Sequence, residues 1–480
     1  MNQPTLRIAC SARHWLLVGI ALFLTACAST PNENSLNLIY ERAAQYHEPD
    51  RNPIIVIPGI LGSRLIDDDS GRTVWGAFTR SSVNPNNADD ALLLALPLDD
   101  DADSQHVSPD GVLDQVKVSL LGIPINIRAY VGILSTLGVG GYRDEGLGLN
   151  GVDYGGDHFT CFQFDYDWRR GNAENAARLQ RFITEKKAYI RAEYKKRYGI
   201  DKSDIKFDIV AHSMGGLVTR YFLRYGDQPL PVDGSLPELN WAGADDVERV
   251  ILVGTPNAGA VEAFEQLVNG YDPGKPVLPH YPAAILGTYP SIYELLPRPR
   301  HNRLVWDDDE TPVGNFYNAD LWDKNQWGLS AKNKRMQTFL RNAIPDATSD
   351  AQRQEIAARF QAAALVRAEH FHRALDVPAE LPEGTELHLV AGDADNTPDR
   401  VRIERNTGKA RFDGTIPGDG TVPRYSALMD ERITSEWKPM LVSPIDWSSV
   451  NFFSSDHIGL TTDPGFADNV LYLLLEHPRE

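Results

Sequence analysis

The stretch DIVAHSMGGLVTRYFL, Asp208–Leu223, packs an apolar run, a lone serine and a glycine pair into sixteen residues. The overlapping run IKFDIV (205–210) reads as a buried strand, and GLVTRYFLRY (216–225) reads as a helix. A serine at such a junction sits on a sharp turn, where the residues two before and two after it must be small. Here they are Ala211 and Gly215, alanine standing where a glycine is usual. A helix beginning near Met214 aims its free N–H groups at the space beside the serine, where a developing oxyanion would be stabilised. A structural serine has no need of this pattern. Ser213 is therefore the candidate nucleophile.

Further strands lie on both sides of this stretch. NPIIVIPG (52–59) is a short β-branched run stopped by Pro-Gly, and FTCFQFDYDW (159–168), VERVILVGTP (247–256) and ELHLVAGD (386–393) also read as strands. Leu179, Phe182, Ile183 and Ile190 share one helical face within residues 175–194, and ADNVLYLLLEH (467–477) reads as a closing helix. Strands alternating with helices predict an α/β fold with a mostly parallel central sheet covered on both faces. Residues 63–150 and 257–385 break the alternation. Each reads as an insertion able to cover a site, the second ending in a helix of about 25 residues.

The chain has 480 residues, 42% of them hydrophobic, enough for one large domain with insertions or for two domains. A formal charge of -19 argues against a nucleic-acid partner. At the N-terminus, Arg7 and Arg13 precede WLLVGIALFL (15–24), an apolar run too short to span a membrane as a mature helix. Residues 1–26 read as a secretory signal, and Leu24-Thr25-Ala26-Cys27 matches the bacterial lipobox, which predicts lipidation of Cys27. Residues 27–50 are then expected to be a polar tether, and residues 51–480 the main domain. The expected location is the cell envelope, with the outer membrane favoured because Ala28 rather than Asp follows the cysteine. Of the three cysteines, Cys161 lies in an apolar strand and reads as a buried inert thiol, so no intrachain disulfide is expected. No His/Cys cluster suggests a metal, and no cofactor is expected.

A serine nucleophile needs a base and an acid, which in this arrangement follow it along the chain in the order acid, then histidine. After Val390 only His457 and His477 remain, and His477 lies at the terminus, so His457 is the candidate base. Two acids stay open. Asp419 lies in a turn between Gly418 and Gly420, whereas Asp393 directly follows a strand. Asp456 adjoins His457, and neighbouring side chains diverge.

Several stretches occur together in one order: IIVIPGILGSRL (54–65), YRDEGLGL (142–149) with FDYDWRR (164–170), AHSMGG (211–216), VGTPNAG (253–259), GDGTVP (418–423) and DHIGL (456–460). With them the chain resembles the lecithin:cholesterol acyltransferase family of α/β-hydrolases, which includes bacterial lipases and phospholipid acyltransferases. The resemblance covers most of residues 52–476 and thins across 63–110 and 260–385. It implies an α/β-hydrolase fold with two cap or lid insertions, about 66–140 and about 260–385. It also implies Ser213 as nucleophile, His457 as base and Asp419, in the GD-x-TV turn, as acid. The backbone N–H groups of Leu61 and Met214 are the implied oxyanion donors. Asp167, Trp168 and Arg169 match a family stretch and are read as shaping the site. The family's animal members close their lid with a disulfide, so the lid here needs another anchor or is more mobile.

The function these readings predict is a serine-dependent lipid acyl hydrolase or acyltransferase acting on (phospho)lipid esters through an acyl-serine. Its expected partners are the lipid substrate and a membrane, reached through the N-terminal lipid anchor and an apolar lid. The alternatives are a non-catalytic envelope lipoprotein on the same scaffold, or a small-ester esterase.

Overall fold

The computed structural model describes residues 33–46, 48–78, 82–98, 106–113, 115–120, 123–128, 130–148, 157–272 and 279–479. Its centre is a six-stranded sheet of β1 (Ile54–Ile57), β2 (Cys161–Gln163), β3 (Phe207–His212), β4 (Val247–Val253), β5 (Glu386–Gly392) and β6 (Ser449–Phe453). The strands run in the order β6-β5-β4-β3-β1-β2 and every pair is parallel. Ile57 pairs with Ala211 and Val253 with His212, so β1, β3 and β4 end at one level.

The helices used below are α1 (Glu33–Ala44), α2 (Val131–Val139), α3 (Asn172–Tyr198), α4 (Met214–Tyr225), α5 (Val261–Asn269), α6 (Asp350–Leu375) and α7 (Pro464–Leu475). Apart from its edge strand β6 the sheet is buried on both faces, which is why the other strands read as continuous apolar runs. Along β1 the alternation is visible. Ile55 and Ile57 join a core with Leu179, Ile183 and Leu217 from α3 and α4, while Ile54 and Val56 join a second core with Ile133, Leu137 and Val470 from α2 and α7. Each such fully buried side chain stabilises the fold by about 1.5–3 kcal/mol. This architecture is the α/β-hydrolase fold.

Two features differ from the sequence-based expectations. The edge strand β6 was not anticipated, and its residues are all only half-buried. The polar segment expected as a tether over 27–50 contains α1, which packs toward α2 and buries Tyr40 and Ala44, four residues apart on one helical face. The signal segment 1–26 and Cys27 lie outside the described residues. The first insertion packs onto the main domain. Strands Ser63–Asp67, Thr73–Trp75 and Val107–Val112 form an antiparallel sheet. Trp75, Leu94, Leu96 and Leu98 reach into the main core. The second insertion ends in α6, 26 residues long. Among the described residues no helix is long and apolar enough to cross a membrane.

Candidate active site

Because β2 lies beyond β1 and β4 lies beyond β3 on the other side, the chain leaves β1 and β3 in opposite directions and opens a crevice at their carboxyl ends. Ser213 directly follows β3, and the loop 58–62 directly follows β1. Ser213 has φ 53° and ψ -127°, a conformation that opposes its side-chain sterics by about 1–3 kcal/mol. Its N–H donates to the Val253 carbonyl at 2.8 Å, which helps hold the turn. The two loops touch there. A Cβ on Gly59 would lie 2.7 Å from the Ser213 Cβ, and one on Gly215 would lie 2.4 Å from the Pro58 oxygen. Glycine at both positions is a condition of the close approach.

His457 arrives from the loop after β6. Its Nε2 lies 3.0 Å from Ser213 Oγ and its Nδ1 lies 2.8 Å from Asp419 Oδ2. Asp419 ends a two-stranded antiparallel hairpin, Asp395–Pro398 with Thr415–Gly418. The N–H groups of Thr421 and Val422 donate to its Oδ1 at 3.0 and 2.6 Å, and the His457 N–H donates to its carbonyl at 2.8 Å. Burial pushes the Asp419 carboxyl up, but the His457 charge and these hydrogen bonds outweigh it and hold the carboxyl below its ordinary range. For His457, burial pulls the imidazole down, and the charge and hydrogen bond of Asp419 prevail, leaving it above its ordinary value.

Asp393 is turned elsewhere. Its carboxylate pairs with Arg424, whose guanidinium lies 3.4 Å from the Phe452 ring centre. Asp456 accepts from the Gly459 N–H at 2.6 Å. Of the acids left open, the structure brings Asp419 to His457. Leu61 has φ 64°, and neither its N–H nor that of Met214, the first residue of α4, has an acceptor among the described residues.

Asp167, Trp168 and Arg169 are fully buried and brace the surroundings. Asp167 and Arg169 pair at 2.9 Å, and Arg169 Nη1 donates to the carbonyls of Leu93 and Leu94 at 3.1 Å each. Trp168 Nε1 donates to the Ser63 carbonyl at 3.0 Å, and Tyr289 Oη donates to the Leu94 carbonyl at 2.9 Å. These contacts anchor the first insertion without a disulfide. Beside Leu61 they form a narrow apolar crevice whose walls include Ile60, Trp75, Trp168, Tyr281 and Tyr289. Cys161 is buried and its thiol is pushed up by that burial.

Two further residues at the site went unassigned from sequence. His212 lay in plain view beside Ser213, and Tyr130 carried no signal at all. Both sit within hydrogen-bond reach of the loops just described.

Comparison with known proteins bears on the fold and the family. No curated protein sequence matches the chain. Among solved structures, the Tle4–Tli4 complex contains a chain similar to this one at 16% identity and TM-score 0.56, covering 88% of this chain and 98% of that one. At that identity the likeness is one of fold alone. The mature form of the lipase BlEst2 from Bacillus licheniformis aligns at 12% identity over 90% of this chain and 94% of that one, with a TM-score of 0.30, too loose to carry an argument. The family model described as lecithin:cholesterol acyltransferase matches residues 152–403. That match spans more than half of the sequence and takes in Ser213 with the strands around it, and the chain belongs to the lecithin:cholesterol acyltransferase family.

Proposed function

We propose that this protein is a serine-dependent lipid acyl hydrolase or acyltransferase that works through an acyl-serine on Ser213. The observation that carries the reading is the unbroken hydrogen-bonded line from Asp419 through His457 to Ser213 Oγ. It ends beside two amides with no acceptor among the described residues and next to a narrow crevice walled by apolar side chains. Family membership supports the lipid substrate. A scaffold kept only for binding has no need of that line.

In this mechanism Ser213 Oγ attacks the ester carbonyl carbon as His457 Nε2 takes the hydroxyl proton. Asp419 keeps the imidazole oriented and supports its charge. The Leu61 and Met214 amides donate to the tetrahedral oxyanion. Collapse breaks the bond to the alcohol oxygen, which takes the proton from His457 and leaves. The acyl group then passes to water or to a second alcohol, with His457 again serving as base. Incubation with a labelled phospholipid and a sterol or simple alcohol tests this: free fatty acid reports hydrolysis, a new ester reports transfer, and neither product from folded protein rejects the reading.

The raised His457 pKa sets the pH dependence. The imidazolium cannot accept the serine proton, so kcat/KM is expected to fall as pH drops through a midpoint above 6.5. Stability moves the other way. A folded pKa above the unfolded one contributes stability that is complete below the unfolded value and is lost as pH rises through the folded value. A pH–rate profile with a midpoint below 6.5 would contradict the assigned base.

We also propose a membrane-surface location through acylated Cys27. The lipobox at residues 24–27 supports it, as do Leu38 and Ile39 on the outward side of α1, 75% and 60% exposed. Cys27→Ser is expected to move the protein into the soluble fraction. An unmodified N-terminus at another residue, read by mass spectrometry, would reject the anchor.

A further inference from the structure

His212 precedes the candidate nucleophile, and its buried ring lies 4.8 Å from the ring of His457. Its Nδ1 lies 3.1 Å from Tyr130 Oη, and its Nε2 lies 3.0 Å from the backbone carbonyl oxygen of His457. Tyr130 Oη in turn accepts the Gly59 N–H at 2.8 Å. Chemistry leaves one assignment of protons. The His457 carbonyl can only accept, so Nε2 carries the hydrogen. In a neutral ring Nδ1 is then an acceptor, and the Tyr130 hydroxyl donates to it while receiving the Gly59 amide. Burial, reinforced by the charge of His457, pushes the His212 imidazole down to about 3, so the ring is neutral. Burial pushes the tyrosine hydroxyl up, so it keeps its proton.

We propose that Tyr130 and His212 are positioning residues that tie the Gly59–Leu61 loop to the His457 loop, holding the oxyanion amide and the base in register on either side of Ser213. The inference rests on the acyl-serine reading above. Tyr130 immediately precedes α2, within the first insertion, which also reaches this loop through Trp75 Nε1, donating to the Leu61 carbonyl at 2.7 Å. The alternative duty is packing alone. The Tyr130 and His212 rings meet edge to face at 5.6 Å, and the His212 and His457 rings lie 4.8 Å apart. That packing survives removal of the hydroxyl, which gives the two duties different consequences.

The test uses the full-length protein and a water-soluble nitrophenyl ester. Tyr130→Phe is expected to lower kcat about ten- to a hundredfold, with KM within about twofold, because a small misplacement of the base or the oxyanion amide acts on the transition state. A folded Tyr130→Phe protein with unchanged kcat would overturn the proposal. Two variants at His212 give an independent reading. His212→Gln keeps a donor in reach of the His457 carbonyl, whereas His212→Asn keeps only the acceptor for Tyr130. Turnover is expected to be at least about tenfold higher in His212→Gln than in His212→Asn; equal turnover in the two would overturn the proposal even where Tyr130→Phe fails to fold. Turnover surviving in Ser213→Ala would instead overturn the acyl-serine reading, a result distinct from an unchanged Tyr130→Phe enzyme.

Discussion

Replacing Ser213 with alanine is expected to abolish covalent labelling by a fluorophosphonate probe and to lower ester turnover by roughly six orders of magnitude. The size follows from how the groups act together. Without Oγ there is no acyl-serine, and His457 has no proton to take, so only binding and the oxyanion amides remain, worth about 10³–10⁴ over water. The fold has little reason to respond. Ser213 is buried and, among the described residues, its hydroxyl bonds to His457, while the turn is held by the Val253 carbonyl and the neighbouring glycines. Melting temperature should therefore stay close to that of the parent. Undiminished labelling in the variant would sink the nucleophile assignment.

Asp419→Asn is expected to lower turnover at least a hundredfold, with about four orders of magnitude measured for such a change in a related triad. The cause is a tautomer. Asp419 Oδ2 accepts from His457 Nδ1, which leaves Nε2 free to take the serine proton. An amide NH₂ aimed at Nδ1 would turn that nitrogen into the acceptor, and Nε2 would then carry the hydrogen it needs to receive. Asp393→Asn should cost under about tenfold, since that carboxylate faces Arg424. Melting curves of both variants separate a lost tautomer from a loosened loop. A dead Asp393→Asn enzyme beside an active Asp419→Asn would mean that the acid is misassigned.

What could be read from the sequence follows from how local each feature is. The strand–serine–helix junction is a local pattern, and His457 stood out because few histidines follow β5. The residues alone left Asp419 and Asp393 level, because a glycine-flanked turn and a strand end can each aim a carboxylate, and the deciding contact, Arg424 with Asp393, lies 31 positions along the chain. β6 escaped because an edge strand that is half-buried along its length shows neither a continuous apolar run nor a clean alternation. α1 escaped because only Tyr40 and Ala44 of its twelve residues are buried hydrophobics, too few to register as an apolar face. Tyr130 could not be found at all. Its partner His212 is 82 residues away, and no spacing rule connects them.

The left-handed backbone of Ser213 has a bearing on how the sequence has been shaped. A chain optimised for folding alone would place glycine at 213, the one residue that accepts such a conformation without opposition. Serine there leaves the protein less stable than its own architecture permits, against a total margin of only about 5–15 kcal/mol for a typical protein. Evolution tolerates a local conflict of that kind where selection acts on something other than stability. The torsion angle thus bears witness to a purpose at position 213 without reference to any motif, to the neighbouring histidine or to kinship with other proteins.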